Sequence, residues 1–310
     1  MEIRIGTSGW SYPTGRGTWN GVFYPGKGAG GRGLDELTYY ADYFDTVEVN
    51  STFYRQQRPA VTSSWARRTP SGFVFAVKLY QAFTHGRRSG PRLPATAPTI
   101  DPDDVAQFRA SIAPLAEAGK LGPILAQFPA SYQHGAAAID HLDSLLRTLD
   151  DLPIAVDLRH RSWSDHHATT SALLQAHGAA WVEIDEPQFA SSIQRPPAND
   201  ASDFGYTRFH GRNAEAWWRP PVAEDRYDYL YSRAELAPFA TAARSSGGRM
   251  KKRYLYLNNH FAAKAVANAT ILKHELDLPV AEAYPAALVT RYPELADFVR
   301  VEAPPLPGTA

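Results

Sequence analysis

Ionisable and amide side chains gather near the ends of seven short apolar runs. They are Glu48 and Asn50 in EVN, Lys78 after Val77, Gln127 before Phe128, Asp157 and Arg159 in DLR, Glu183 and Asp185 in EID, Arg208 and His210 in RFH, and Asn258 and Asn259 in LNN. Together these residue types suit acid–base chemistry on a polar, anionic substrate. Glu48 and Asp157 can divide acid and base roles where their surroundings push their pKa values apart. Lys78 can hold a phosphate or, once desolvated, act as a base or Schiff-base amine. Arg159 and Arg208 are suited to two-pronged capture of a carboxylate or phosphate. His210, followed by Gly211, has the titration range of a proton shuttle.

A core strand ordinarily ends in Val, Ile or Leu, so polar strand ends repeated along a chain imply a shared site. The β-rich runs fall at about 3–7, 46–50, 73–79, 123–128, 154–159, 180–185, 206–211 and 253–258. Helical patterns fall between most of them, at 34–44, 59–68, 101–118, 136–149, 164–177, 225–245 and 262–276. The third carries Val105, Phe108, Ile112 and Leu115 at helical spacing behind an Asp–Pro start. Eight strand–helix units predict an α/β fold, a single (β/α)8 TIM-like barrel spanning residues 1–310. No G-x-G-x-x-G follows the first strand, which argues against a dinucleotide fold. Three long connections, 8–33, 84–98 and 186–205, follow strands and so belong to the C-terminal face, where barrel active sites form. The second is basic, with His85, Arg87, Arg88 and Arg92.

Alternation along each strand then sorts the side chains. Glu48 and Asn50 share a face, as do Asp157 and Arg159, and Arg208 and His210, while Lys78 stands opposite Phe73, Phe75 and Val77. With the bulky apolar set packed on outer helices, Glu48, Asp157 and Asp185 face Lys78, Arg159 and Arg208 inside the barrel. That set is charge-balanced, as buried ions require. A buried ionic network that only fixes register is the competing reading.

Expected catalytic residues are therefore Glu48, Lys78, Asp157 and His210. Expected substrate-binding residues are Asn50, Tyr54, His85, Gln127, Arg159, Trp163, Asp185, Arg208, Arg212, Asn258 and Asn259, with Tyr54 and Trp163 as walls for a sugar or base. The loops after strands seven and eight, with Gly211, Arg212, Asn258, Asn259 and His260, correspond to the usual phosphate position of such barrels. No cofactor is predicted. A divalent metal, held among Glu48, His85, Asp157, Asp185, His210 and His260, is an open alternative that neighbouring Lys78, Arg159 and Arg208 would oppose.

Composition narrows the partners. Lys+Arg and Asp+Glu are both 32 in 310 residues, so net charge supports neither a nucleic-acid nor a membrane partner. The chain has no Cys, which removes disulfides and thiolate chemistry. The N-terminus lacks signal-peptide features, and no apolar stretch is long enough to span a membrane, so a cytoplasmic location is expected.

Against that background the stretches GTSGWSY (6–12), FYP (23–25), TVEVNSTFY (46–54), FVFAVK (73–78), TH (84–85), LAQFP (125–129), DLRHRSW (157–163), RFHGR (208–212) and YLYLNNH (254–260) resemble the YecE-like family of uncharacterised TIM-barrel proteins, the domain of unknown function seventy-two. The likeness runs in order along nearly the whole chain. It implies a TIM-like barrel and no particular reaction. Asp157 stands where the family stretch usually begins with Glu, one methylene longer. The functional expectation is an acid–base enzyme (hydrolase, lyase or isomerase) for a small phosphorylated or polyhydroxylated molecule. A metal-dependent phosphodiesterase on nucleic acid, using the basic 84–98 loop, and a non-catalytic anion-binding protein are the alternatives.

Overall fold

The structure, a computed structural model, describes residues 1–26, 33–86, 97–194, 202–218, 220–245 and 250–302. Nine parallel strand segments line up as β6–β5–β4–β3–β2–β1–β9–β8–β7. They are β1 (Glu2–Ser8), β2 (Thr46–Val49), β3 (Val74–Lys78), β4 (Leu121–Gln127), β5 (Ile154–Asp157), β6 (Ala180–Trp181), β7 (Glu183–Asp185), β8 (Phe204–Phe209) and β9 (Lys252–Leu257). The end segments β6 and β7 are separated only by Val182, whose N–H donates to the Val156 carbonyl at 2.9 Å. One split strand thus brings the two edges together, and the segments make the eight staves of a nearly closed TIM-like barrel. All eight expected strands are present.

Helices cover the outside: α1 (Glu36–Ala41), α2 (Ser51–Tyr54), α3 (Pro59–Arg67), α4 (Pro102–Glu117), α5 (Ala136–Thr148), α6 (Arg161–Asp165), α7 (His167–Ala176), α8 (Arg233–Ser245) and α9 (Lys264–Glu275). Local chemistry explains where they start. Asp101 caps α4 by accepting from the Asp103 N–H at 2.9 Å, with Pro102 at the first position, and Phe108, Ile112 and Leu115 are buried. At α8 the Ser232 hydroxyl accepts from the Glu235 N–H while the Glu235 carboxylate accepts from the Ser232 N–H, a reciprocal cap. That cap moves the start of α8 eight residues beyond the expected 225, and a short 3₁₀ turn, Ala223–Tyr227, precedes it. In keeping with the long 186–205 connection, which carries no expected helix, among the described residues no helix lies between β7 and β8.

Pairing register fixes the faces. Glu48 pairs with Ser8 and Ala76, Gln127 with Asp157, and Arg208 with Tyr256 and Ile184. A bulge between Phe75 and Val77 re-sets β3 against β4, so that Lys78 falls beside Leu125, two residues before Gln127. Val47, Val49, Phe75, Val77, Val156 and Phe209 occupy the opposite face and are buried in the core. The aromatic loop after β1 is packed: Trp19 and Phe23 are fully buried, with their rings 5.8 Å apart. Among the described residues no helix is long and apolar enough to cross a membrane.

Candidate functional site at the barrel mouth

Arg208 is the hub of the interior. From β8 its Nε and Nη2 donate to the two carboxylate oxygens of Glu48 at 2.9 and 2.8 Å. Its Nη1 donates to Asp157 at 2.8 Å and to the Gln127 amide oxygen at 2.9 Å. The Tyr206 hydroxyl donates to the same Glu48 at 2.8 Å. Arg159 in turn donates to both Asp157 oxygens, at 2.5 and 2.9 Å, and to Glu186. Glu48, Asp157 and Arg208 are buried. Burial alone would raise the two carboxyls, but the adjacent guanidinium charges and hydrogen bonds hold both below their ordinary values. They are fixed anions that orient arginines.

Above this layer lies a cavity of about 450 Å³. The expected residues that line it are Asn50, Tyr54, Lys78, His85, Gln127, Arg159, Arg208, His210 and Asn258. The Lys78 amine donates to Gln127 at 3.0 Å and lies 4.2 Å from the centre of the Phe53 ring. Burial, followed by the Arg208 charge, lowers it to about 7, against the opposing pull of Glu48 and Asp157. Lys78 is linked to Glu48 through a hydrogen-bond chain in which Gln127 and Arg208 stand between them.

His210 is more constrained than a proton shuttle requires. Its Nε2 lies 2.9 Å from Arg159 Nη2, and the Asn258 amide lies 2.8 Å from Nδ1. A guanidinium can only donate, so Nε2 accepts, the neutral ring carries its proton on Nδ1, and the amide oxygen belongs opposite it. Burial and then the charges of Arg159 and Arg208 push its pKa well down. His85 is also held neutral, lowered to about 4 by burial and by Lys78. Its Nδ1 meets Thr84 at 2.9 Å, and its ring packs edge-on against Phe53 at 4.9 Å.

Four expected binding residues lie elsewhere. Asp185 pairs with Phe209, on the outer face, and not with Arg208. It accepts from Arg212 and from the Tyr231 hydroxyl, and with Arg212 it lines a separate cleft against α8. The rule that placed bulky residues outside misassigns β7, because among the described residues no helix follows it and Ile184 points inward with Arg208. Trp163 is core, its Nε1 donating to the Tyr132 carbonyl at 2.8 Å. Asn259 is fully buried and donates to the Tyr229 carbonyl and to Asn268, both at 2.8 Å.

The interior acid that takes the place expected for Asp185 is Glu186. Reading β7 with Ile184 inward places it two residues on, on the same side. The mouth also contains Tyr12, Phe53, Trp217, Arg226, Tyr227 and His260, which strand parity cannot reveal because they lie outside the strands. Tyr12 stacks on His260 at 4.3 Å, and Tyr227 lies 4.8 Å from the same imidazole. Arg226 lies over Trp217 at 5.6 Å, and its Nε is buried without a hydrogen-bond partner among the described residues. His260 is positioned by left-handed Ala262 (φ 52°) and Ala263 (φ 63°), a conformation that L-alanine adopts at a cost. The Ala262 N–H donates to the Gly17 carbonyl and its own carbonyl accepts from Tyr292, so the turn is held from both sides. After His210, Gly211 takes φ 86°, and a Cβ there would lie 2.5 Å from Tyr229.

Among the described residues no three His, Asp or Glu side chains form a group able to hold a metal ion. Glu48 and Asp157 are taken by arginines, and Asp185 lies outside the mouth. Arg87, Arg88 and Arg92 of the basic loop lie outside the described residues.

The family model "Protein of unknown function DUF72" matches residues 4–291. The chain belongs to this family. A DUF72 family protein from Thermotoga maritima MSB8 is 32% identical, with a TM-score of 0.73 over 89% of this chain and 100% of that one. UPF0759 protein YunF of Bacillus subtilis (strain 168) is 28% identical over 284 residues, covering 89% of this chain and 95% of that protein. UPF0759 protein YecE of Escherichia coli (strain K12) is 28% identical over 190 residues, 59% of each chain. A DUF72 family structure from Enterococcus faecalis V583, 24% identical with a TM-score of 0.73 over 89% of this chain and 96% of that one, shares the fold. In this DUF72 chain the family stretches TVEVNSTFY, FVFAVK, LAQFP, DLRHRSW and RFHGR supply Glu48, Lys78, Gln127, Asp157 with Arg159, and Arg208 with His210.

Proposed function

We propose that the barrel mouth binds a small phosphorylated or polyhydroxylated anion and carries out acid–base chemistry on it, with the Lys78 amine as the titrating group. The observation that carries this reading is a contrast between buried cations. Arg159 and Arg208 are each matched to carboxylates, whereas among the described residues Lys78 has only an amide oxygen and a ring face as partners and opens on the cavity. Lowered to about 7, it passes between base and conjugate acid near neutral pH, where general acid–base catalysis is most effective.

The other expected catalytic residues take supporting roles in this reading. Glu48 and Asp157 set the arginines, and His210 is positioned by Arg159 and Asn258. Each guanidinium has five N–H donors and spends four in the bonds above, leaving one toward a ligand. Arg226 adds a further cation whose Nε has no partner among the described residues. These donors favour an anion in the cavity. Tyr12, Tyr54 and Tyr227 offer faces and hydroxyls for a polyhydroxylated body.

The test has two stages. Inorganic phosphate should raise the melting temperature of the wild type, and the rise should vanish in Arg226→Met. Phosphorylated sugars incubated in deuterium oxide should exchange carbon-bound protons in the presence of the wild type and not of Lys78→Met. Absence of both effects with folded protein would overturn the reading.

A further inference from the structure

We propose that Lys78 forms an imine with an anionic aldehyde or ketone held in the mouth. Imine chemistry rests on the acid–base reading of this site and narrows its substrate class to carbonyl compounds carrying a phosphate or carboxylate.

Geometry supplies the main support. Lys78 is the last residue of β3, is half-buried and lines the cavity. Among the described residues no carboxylate lies within ion-pair distance of it, so a neutral amine leaves no buried anion stranded there. Its two contacts, Gln127 at 3.0 Å and the Phe53 ring at 4.2 Å, leave the lone pair free to turn toward the cavity once a proton is lost. A lysine that serves only to hold charge is expected beside Asp or Glu, as Lys264 is beside Asp228 in this chain. The lowered pKa agrees with this placement.

The surroundings supply the remaining parts. The Phe53 ring that carries Lys78 on its face also packs against His85, so a neutral imidazole sits close to the amine. In the step itself the Lys78 nitrogen forms the C–N bond and the carbonyl π pair moves to oxygen. The two amine protons pass to that oxygen, with His85 placed to relay them, and the C–O bond breaks to release water. Nothing is oxidised or reduced. Arg226 and the spare N–H groups of Arg159 and Arg208 would face the anionic end of the molecule. The imine then withdraws electrons from the neighbouring carbon, which eases the proton abstraction that the acid–base reading calls for.

Glycolaldehyde phosphate and neutral glycolaldehyde are the probes, each added at pH 7 with sodium cyanoborohydride and followed by intact mass and peptide mapping. The expected result is a single reduced adduct on Lys78, formed roughly 10-fold or more faster than on exposed Lys251 and Lys252, because an ordinary lysine is almost wholly protonated at this pH. Inorganic phosphate should slow the labelling, neutral glycolaldehyde should label Lys78 more slowly, and Lys78→Met and Lys78→Arg should lose the adduct. Labelling spread evenly over surface lysines would overturn the imine. If phosphate still raises the melting temperature in that case, anion binding at the mouth stands and only the covalent step fails. If it does not, both fail.

Discussion

Lys78 and Arg208 share one acceptor. The Gln127 amide oxygen takes a hydrogen bond from the lysine at 3.0 Å and from the guanidinium at 2.9 Å, so a neutral amide separates two cations in the barrel mouth. Gln127→Glu would put a negative charge at that point and favour protonated Lys78. The expected outcome is a Lys78 pKa displaced upward from about 7, read from the pH dependence of its reductive labelling. An unchanged profile would show that the amide does not govern the amine.

Glu48 and Arg208 form a two-pronged ion pair with both side chains essentially out of water. Glu48→Ala leaves the guanidinium charge uncompensated on that side, at a cost of about 3–5 kcal/mol in unfolding free energy. Glu48→Gln keeps the shape and should cost less. Because Glu48 also pulls the Lys78 pKa upward, Glu48→Gln should lower the midpoint of the Lys78 labelling profile. Urea denaturation and the labelling profile check the two effects separately.

Most of this site could be read from alternation along the strands, because a parallel barrel repeats one simple rule. Glu48, Lys78, Gln127, Asp157 and Arg208 obey it, and the bulge in β3 falls where it preserves the facing of Lys78 toward Gln127. The rule failed at Asp185 for a physical reason. It assumes an apolar helix outside every strand, and β7 is followed by none among the described residues. Composition suggested Trp163 as a wall, yet its indole N–H finds a backbone carbonyl in the core. Arg226, Trp217 and Tyr227 reach the mouth from a turn after β8, and their placement follows from packing between distant segments, which leaves no local periodicity to detect.

The histidines of the mouth predict an acid limb in stability. His85 and His260 are lowered to about 4, chiefly by burial, so they stay neutral in the fold while the unfolded chain takes up protons below about 6.5. The unfolded state then binds more protons between pH 6.5 and 4, and stability falls as pH falls through that window. Lys78 acts in the same direction at higher pH. Between about 7 and 10.5 the unfolded lysine is protonated and the folded one is not, so stability gains as pH rises. Lys78→Met should therefore be more stable than the wild type near pH 7, by on the order of 2 kcal/mol given the open cavity, with the advantage fading toward pH 10. Melting curves across pH for wild type, His260→Gln and Lys78→Met test both limbs.

Asp185 and Arg212 give the complementary prediction, since their pair lies in the cleft against α8 and not at the mouth. Arg212 is 38% exposed, so its ion pair contributes at most about 1 kcal/mol. The larger cost of Asp185→Asn comes from Tyr231, whose buried hydroxyl donates to that carboxylate at 2.6 Å while accepting from the Gly211 N–H at 2.9 Å. An amide oxygen can still take the bond, so the total loss should stay near 1–2 kcal/mol. Phosphate-dependent stabilisation and Lys78 labelling should be the same in Asp185→Asn as in the wild type. If either falls by as much as in Arg226→Met, then Asp185 belongs to the working site and the mouth is wider than its lining residues indicate.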